Sequence, residues 1–386
     1  MISITGLGAI SAAGGNAADT LGSFGLKKRN AGAVTLFDTP LKYPVFEVNK
    51  IPDEYYLEGQ RTLSLALCAV AEALNDAQLG NDLSKYRLGI SMGTTVASQL
   101  NDLDFYKSYR STGSASMTSM DRYLKGNLAE FILRKIGARG PALTVVNACS
   151  SGTDAIGVAL SWLNNGLCDI AIAGGADELN RIPLCGFGSL GIVSMDLCAP
   201  FDRDRKGLNL GEGAGILIIE TKESAQKRGI DSDLFLAGYG SSSDAYHLTA
   251  PHPEGTGLKI SIQKALKDAG IKPEEVSFVN AHGTATPDND LVEGKVLAEI
   301  FATDLKMLST KGFTGHTLGA AGGLEAVFTA VGLREGWIPA SIGFKNKDEA
   351  IPLTPVRERT VINGRYAVST SLAFGGNNAA IVIGKT

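Results

Sequence analysis

Cys149 is the side chain of this 386-residue sequence whose neighbours best suit a nucleophile. It lies in VVNACSSGTDAIGVAL, where an apolar run ends and small residues begin a helix. A thiol at a helix N-terminus meets free backbone N–H groups and partial positive charge, which favour the thiolate and lower the thiol pKa. The pattern predicts covalent catalysis, with a buried packing cysteine as the alternative. We interpret the cysteines without such a turn as packing residues, namely Cys68, Cys168, Cys185 and Cys198.

Two of the four histidines follow strands in the second half of the chain. His282 lies in FVNAHGTATPD and His316 in STKGFTGHTLGAAGG, each among small and hydroxylated residues. Their strand ends face the same crevice as Cys149, so the pair predicts chemistry there, and a structural role is the alternative. We interpret His247 and His252 as loop residues near the entrance of this crevice.

Three further residues accompany the histidines. Lys311 lies five residues before His316 in an otherwise uncharged turn, and Glu325 lies nine residues after it in an apolar helix. A buried Lys–Glu pair is one interpretation, and two side chains that extend to solvent are the other. Phe374, in SLAFGGNN, has small neighbours that allow the backbone to approach a site closely, so a gate or an oxyanion-hole amide competes with an ordinary core position.

Several other kinds of site are excluded by spacing. No histidine pair has HxxxH or HxxH spacing, so we expect no metal. We do not expect a serine hydrolase, because the GxSxG match GISMG at 89–93 lies inside an apolar run typical of a strand rather than at a turn into a helix, and ITGLGAIS is not a complete dinucleotide fingerprint. The formal net charge of −4 and the pI near 5.7 argue against nucleic-acid and membrane partners. The five scattered cysteines and the lack of a signal-like or membrane-length apolar segment predict a cytoplasmic protein.

The strands and helices that would position these residues occur in the same order in both halves of the chain. Each half has an apolar strand, a helix, two more strand-and-turn units and a closing pair of apolar strands around Gly-Gly. This internal duplication predicts an α/β protein with mainly parallel sheets covered by helices. We place the halves at residues 1–225 and 226–386, and the first half carries extra segments at 94–140 and 180–212 that we expect to shape a substrate pocket.

Five segments, taken in chain order, resemble motifs of the β-ketoacyl-(acyl carrier protein) synthase I/II family. They are NACSSG at 147–152, PFDRDRKGLNLGEGAG at 200–215, NAHGTATP at 280–287, STKGFTGHTLGAAGG at 309–323 and AFGGNN at 373–378. The resemblance implies a thiolase-like fold, two duplicated halves in a five-layered α/β/α/β/α arrangement. It also implies acyl carrier protein and acyl and malonyl thioesters as partners in fatty-acid or related polyene or polyketide synthesis, and a homodimer, or alternatively a heterodimer.

The resemblance implies a role for each candidate residue. Cys149 would accept the acyl group, His282 and His316 would activate and decarboxylate the malonyl thioester, and Lys311 with Glu325 would support them. The amides of Cys149 and Phe374 would form an oxyanion hole. No cofactor is implied, because phosphopantetheine arrives on the carrier protein. Residues assigned to substrate binding are Thr284, Thr286, Ser242, Ser243 and Phe187.

The sequence departs from the family pattern at Ala373, where members usually have glycine, at Asn377 in place of threonine, and at Leu208 in place of an aromatic residue. These changes put the mobility of the gate and the pocket shape in question. A thiolase would need a second cysteine late in the chain, and none follows Cys198. An initiating synthase would pair its cysteine with His and Asn, whereas His316 is present here. A non-catalytic, chain-length-determining partner subunit is the alternative from another class, and such subunits typically lose the cysteine.

Overall fold

Strands and helices alternate through the computed structural model of the chain, which describes residues 1–80, 82–95, 103–118, 120–121, 127–301 and 303–386. The strands are β1 (Ile2–Ser11), β2 (Leu88–Gly93), β3 (Ala142–Val145), β4 (Ile170–Asp177), β5 (Gly213–Thr221), β6 (Leu234–Ser243), β7 (Val276–Asn280), β8 (Lys306–Leu308), β9 (Trp337–Ile338), β10 (Thr360–Val361), β11 (Tyr366–Ala373) and β12 (Asn377–Lys385).

The α-helices of the described residues are α1 (Ala17–Gly25), α2 (Arg61–Asp76), α3 (Leu103–Thr112), α4 (Leu128–Lys135), α5 (Ser151–Asn164), α6 (Arg181–Ser189), α7 (Lys222–Lys227), α8 (Thr256–Ala269), α9 (Pro287–Phe301), α10 (Lys311–Thr314) and α11 (Ala321–Glu335). Single 3-10 turns occur at Asp53–Tyr55, Pro273–Glu275 and Leu318–Ala320. Within these residues, no helix has the length and apolar character needed to cross a membrane.

The strand order confirms the duplication. Ten strands form one sheet in the order β3-β2-β4-β5-β1-β6-β12-β11-β7-β8, so the second five repeat the first five in reverse. The pairings repeat as well, because β2 is parallel to its two neighbours and so is β7, whereas β5 and β12 are antiparallel to theirs. The halves join where Ile2 pairs with Leu236 and Ser3 pairs with Phe235.

The prediction of mainly parallel sheets is wrong, because the sheet is mixed. In the second half, β11 and β12 are joined by the three residues 374–376, and a connection this short can only link antiparallel neighbours. The first half has the same geometry at β4 and β5, although its connection runs through 178–212. The division after residue 225 stays a prediction. Part of the extra segment 94–140, at 96–102, 119 and 122–126, lies outside the described residues.

Helices on both faces of the two half-sheets give the five layers, so the predicted thiolase-like arrangement is confirmed. Helix α2 covers β1 and β5 in one outer layer, and α8 covers β6 and β12 in the other outer layer. Helices α5 and α11 form the central layer between the half-sheets. The three largest apolar clusters fill the spaces between these layers. Every residue of α11 from Ala321 to Leu333 is buried, as expected for a helix whose side chains in this range, apart from Glu325, are nearly all apolar or small.

Strand register brings the candidate residues to one edge. Gly93, at the end of β2, pairs with Val145 at the end of β3 and with Gly175 of β4, so β2 and β3 end at the same level and β4 continues to Asp177. In the second half, Asn280 of β7 pairs with Leu308 of β8. The segments that follow β3, β7 and β8 carry Cys149, His282 and Lys311, which therefore meet beside the central layer.

Candidate active site

Cys149 lies in a sharp turn between the edge strand β3 and helix α5. The turn depends on Ala148, whose φ of 49° is in the left-handed region that L-residues rarely adopt. The Ser151 hydroxyl donates to the Ala148 carbonyl at 2.6 Å and accepts the backbone N–H of Asn147 at 2.8 Å. These bonds hold the turn, and the cysteine is 4% exposed.

The expected low pKa of the Cys149 thiol is wrong for the resting protein. Burial raises the pKa of this thiol to about 11, although the charge of Lys311 and the backbone N–H of Phe374, which donates to the sulfur, act in the opposite direction. Helix α5 begins two residues after the cysteine, and the loss of hydration outweighs the partial charge at its terminus. The resting side chain is therefore a neutral thiol.

His316 directs an N–H group at the sulfur. Its Nε2 lies 3.1 Å from Cys149 Sγ, and its Nδ1 accepts the backbone N–H of Leu318 at 3.3 Å. Because Nδ1 is an acceptor, the proton of the neutral ring is on Nε2. The loop before β5 fixes the backbone of this histidine, whose N–H donates to the carbonyl of Asn209 at 2.8 Å and whose carbonyl accepts the N–H of Gly211 at 3.0 Å.

His282 has the same tautomer for a different reason. Nζ of Lys311 lies 3.1 Å from His282 Nδ1, and an ammonium group can only donate, so the ring proton is on Nε2. The centroids of the His282 and His316 rings are 5.2 Å apart, with an angle of 89° between the planes. Burial, together with the charge of Lys311, holds the pKa of both histidines well below the usual range. Two neutral rings thus offer Nε2–H donors.

Lys311 and Glu325 form a buried ion pair, so the solvent-extended interpretation is wrong. Nζ of Lys311 contacts Oε1 of Glu325, and the two side chains are 2% and 3% exposed. Burial raises the pKa of Glu325 to about 7 against the opposing charge of Lys311. One ammonium group therefore connects Glu325 with His282, and the pair supports the histidine from the side away from the thiol.

Glu293 is a buried acid that sequence reasoning missed. Its Oε1 accepts the backbone N–H of His282 at 2.8 Å and the hydroxyl of Thr370 at 2.7 Å, and its Oε2 accepts the N–H of Gly283 at 2.8 Å. Burial raises the pKa of this carboxyl to about 7. Its partners lie on β11 and in the turn after β7, so nothing in the local pattern of α9 distinguishes it from an ordinary helical acid.

Asp177 is a second missed carboxylate, at the end of β4. It accepts the hydroxyl of Thr94 at 2.6 Å, the backbone N–H of Thr95 at 2.9 Å and the N–H of Gly319 at 2.7 Å. These bonds tie the end of β2 to the turn that follows His316. An acid at the last position of a buried strand was the available signal.

Phe374 and Phe187 form an aromatic stack beside the thiol. Their ring centroids are 5.3 Å apart, and Phe187 meets the ring of His316 edge-on at 6.5 Å. Gly375 and Gly376 follow with φ values of 86° and 80°, which glycine adopts at little cost. The structure thus brings both phenylalanines to the site, and the gate role of Phe374 stays a prediction.

The predicted substrate-binding hydroxyls lie on two separate segments, one after β7 and one at the end of β6. The hydroxyls of Thr284 and Thr286, just after His282, are 2.8 Å apart. The hydroxyl of Ser242, at the end of β6, donates to the carbonyl of Gly257 at 2.5 Å, and Ser243 is exposed. Contact of these four side chains with a substrate stays a prediction.

The remaining histidines and cysteines lie away from the thiol. His247 and His252 are in the surface loop between β6 and α8. Cys185 on α6 is exposed, so its interpretation as a packing residue is wrong, whereas Cys68, Cys168 and Cys198 are buried. In the described part of the chain, no group of three His, Cys, Asp or Glu side chains could hold a metal ion.

Known proteins share both the sequence and the fold. Residues 47–225 match the family described as Beta-ketoacyl synthase, N-terminal domain, and residues 235–345 match its C-terminal domain. A 3-oxoacyl-[acyl-carrier-protein] synthase 2 of Staphylococcus aureus (strain N315) is 36% identical over 405 residues, which span 99% of this chain and 97% of that protein.

Two solved structures of similar length resemble the chain throughout. The ishigamide ketosynthase/chain length factor has a TM-score of 0.93 and 31% identity, covering 100% of this chain and 99% of that one. A type II PKS acyl-carrier protein in complex with its ketosynthase bound to the hexaketide has a TM-score of 0.90 and 25% identity, with the same coverage. Together with the thiol and its two histidines, these matches establish that the chain belongs to the β-ketoacyl synthase family.

Proposed function

We propose that this protein is a β-ketoacyl-ACP synthase that condenses an acyl thioester with malonyl-ACP, with loss of carbon dioxide. The observation that carries the proposal is the position of His316 Nε2, 3.1 Å from Cys149 Sγ, beside the second neutral imidazole of His282. A thiol next to two N–H donors suits both halves of this chemistry, namely acyl capture and stabilisation of an enolate.

Acyl capture is the first half-reaction. The sulfur of Cys149 attacks the thioester carbonyl of the acyl carrier protein, and the tetrahedral oxyanion is held by the backbone N–H groups of Cys149 and Phe374. The bond to the carrier's sulfur then breaks, and the proton of the Cys149 thiol ends on the released phosphopantetheine thiol. His316 retains its Nε2 proton throughout and donates a hydrogen bond to the sulfur while negative charge is present there.

Decarboxylation and condensation follow at the same place. As the carboxylate of the malonyl group leaves as carbon dioxide, the bonding electron pair moves to form an enolate, and its oxygen accepts the Nε2–H groups of His282 and His316. The enolate carbon then attacks the carbonyl of the acyl-Cys149 thioester. Breaking the C–S bond releases the elongated β-ketoacyl chain on the carrier and returns the Cys149 thiolate, which takes up a proton.

Lys311 and Glu325 act through His282 in this scheme. The ammonium group of Lys311 donates to Nδ1 of His282, which keeps the proton on Nε2, and Glu325 balances the ammonium charge inside the protein. We assign both as positioning residues. The Thr284 and Thr286 hydroxyls are suited to hydrogen-bond the amides of the phosphopantetheine arm.

A second subunit is part of the proposal. Strand β3 is at one edge of the sheet, and Leu143 in it and Val146 just after it are 43% and 66% exposed. An unpaired edge with exposed apolar side chains favours association with another chain. Either a second copy or a homologous chain length factor would suit this surface, and the similar protein named above is a ketosynthase/chain length factor.

Acyl loading is the direct test of the function. Incubation with a radiolabelled acyl carrier thioester, followed by peptide mapping, should place the label on Cys149. The Cys185→Ser variant, which removes the exposed cysteine, should load like the parent, and Cys149→Gln should not load but should still release carbon dioxide from malonyl-ACP. A parent protein that takes up no label would instead support the non-catalytic partner-subunit alternative.

A further inference from the structure

A buried carboxylate without a cationic partner lies next to the nucleophile turn. Asp154, in the first turn of α5, is 6% exposed and forms no ion pair within the described residues. It accepts hydrogen bonds from the side-chain amide of Asn147 at 2.5 Å, the hydroxyl of Ser150 at 2.7 Å and the phenol of Tyr239 at 2.7 Å. A buried carboxylate is stabilised mainly by such bonds, so these three donors are strongly constrained.

Two of the three donors flank Cys149 in the sequence. Asn147 precedes the left-handed Ala148, and Ser150 directly follows the cysteine. A non-glycine residue at positive φ costs about 1–3 kcal/mol and persists only where the surroundings hold it. Asp154 accepts hydrogen bonds from residues on both sides of this strained residue. It therefore fixes the direction of the sulfur and of the Cys149 N–H.

The third donor comes from the other half of the chain. Tyr239 lies on β6, and its ring rests against α5 at Gly157, where an added Cβ would lie 2.4 Å from Cζ of the ring. Burial and the Asp154 carboxylate hold the pKa of the Tyr239 phenol above its usual value, so it remains a donor. Gly157 therefore makes room for a hydrogen bond that connects the second half-sheet to the nucleophile turn.

We propose that Asp154, anchored by Tyr239, is the positioning residue that holds the Cys149 turn in the geometry needed for acyl capture. This inference rests on the proposed function. The histidines take no part in it, because His282 and His316 are held by Lys311, Glu293 and the loop before β5. Loss of the Tyr239 hydroxyl should thus affect one half-reaction and leave the other.

The test compares Tyr239→Phe with Thr5→Val. Thr5, at the bulge in the first half of β1 and away from the site, also donates a buried hydroxyl to a carboxylate, Glu220 at 2.7 Å. We expect acyl loading of Cys149 to fall about 10- to 100-fold in Tyr239→Phe and to stay within about twofold of the parent in Thr5→Val. In the Cys149→Gln background, carbon dioxide release from malonyl-ACP should be unchanged by Tyr239→Phe.

Two further measurements separate the possible failures. Gly157→Ala, which displaces the Tyr239 ring without removing its hydroxyl or the Asp154 carboxylate, should reproduce the loading defect. Hydrogen–deuterium exchange of the peptide covering 145–152 should speed up in Tyr239→Phe but not in Thr5→Val. If the parent loads and Tyr239→Phe loads equally well, or loses decarboxylation in proportion, the inference is wrong. If the parent does not load but the exchange difference is present, the proposed function fails and the positioning of the turn stands.

Discussion

At the scale of single residues, the site depends on how protons are assigned to two imidazoles. His316 receives the backbone N–H of Leu318 on Nδ1 and His282 receives the ammonium group of Lys311, so each ring has its proton on Nε2. Burial and the charge of Lys311 keep both rings neutral. An imidazolium would donate as well, but a neutral ring avoids placing a further positive charge in a buried site.

Replacing either histidine should therefore remove one enolate donor. We expect His282→Ala and His316→Ala each to slow carbon dioxide release from malonyl-ACP by about 100-fold or more, the cost of losing an oxyanion-type donor. His252→Ala, in the loop after β6, is the control and should decarboxylate like the parent. Decarboxylation at the parent rate in both site variants would contradict the assigned roles.

Glu325 gives a pH-dependent prediction whose sign follows from burial. Its folded-state pKa is raised from 4.5 to about 7, so folding favours the protonated carboxyl. The stability contributed in this way is complete below about pH 4.5 and is lost as the pH rises toward 7. The unfolding free energy of the parent minus that of Glu325→Gln should therefore decrease from pH 5 to pH 8. Urea titrations at both pH values measure it, and the opposite trend would mean that pairing with Lys311 outweighs burial.

Individual residues were predictable from sequence where chemistry coincided with strand ends. Cys149, His282 and Lys311 each follow a strand, and parallel neighbours end at the same edge, so their meeting could be expected. The thiol pKa could not, because it depends on how completely distant segments bury the sulfur. Glu293 was missed for a related reason, since its donors lie in other elements, and so was Asp154, whose third donor, Tyr239, comes from β6.

At the scale of elements, the hairpin between β11 and β12 carries the candidate gate. Ala373 pairs with Asn377 across it, and the N–H of Gly375 donates to the carbonyl of Leu248 at 2.8 Å. This loop supplies both the amide near the sulfur and the Phe374 ring. The antiparallel hairpin was not predicted, because alternating strand and helix patterns say little about the direction of the last two strands.

Phe374→Ala should affect acyl transfer more than decarboxylation. The ring stacks on Phe187 at the thiol, whereas the enolate donors lie on His282 and His316. Its backbone N–H is kept in the variant, so loss of the ring should change the rate and chain-length dependence of acyl loading. Loading assays with a panel of acyl carrier thioesters, beside carbon dioxide release, would measure both. Equal loss in the two assays would point to a packing role for the ring.

At the scale of the whole molecule, the two halves divide the chemistry and meet through small residues. The first half supplies the nucleophile and the second supplies both enolate donors, so the distance from Cys149 to His316 is set by how closely α5 and α11 approach. A Cβ added at Gly152 would clash with the backbone of Gly319 and Gly323. A Cβ added at Gly322 would clash with the backbone of Thr153. The sequence predicted the duplication, but it could not show that these glycines set the spacing between the halves.

Gly322→Ala tests this spacing. A Cβ at this position would lie 2.5 Å from the backbone nitrogen of Thr153, which a side-chain rotation cannot relieve, so α5 and α11 must separate. We expect a loss of about 1–3 kcal/mol in unfolding free energy, as for other overpacked cores. Condensation should fall further than malonyl decarboxylation, because only condensation needs the Cys149 sulfur and the second half in register.

Gly22→Ala in α1 is the matched control, since a Cβ there meets nothing within 4 Å, and its unfolding free energy should rise by roughly 0.5–1 kcal/mol. Urea denaturation and the two activity assays on both variants measure these effects, and parent-like condensation in Gly322→Ala would show that the halves tolerate a wider spacing.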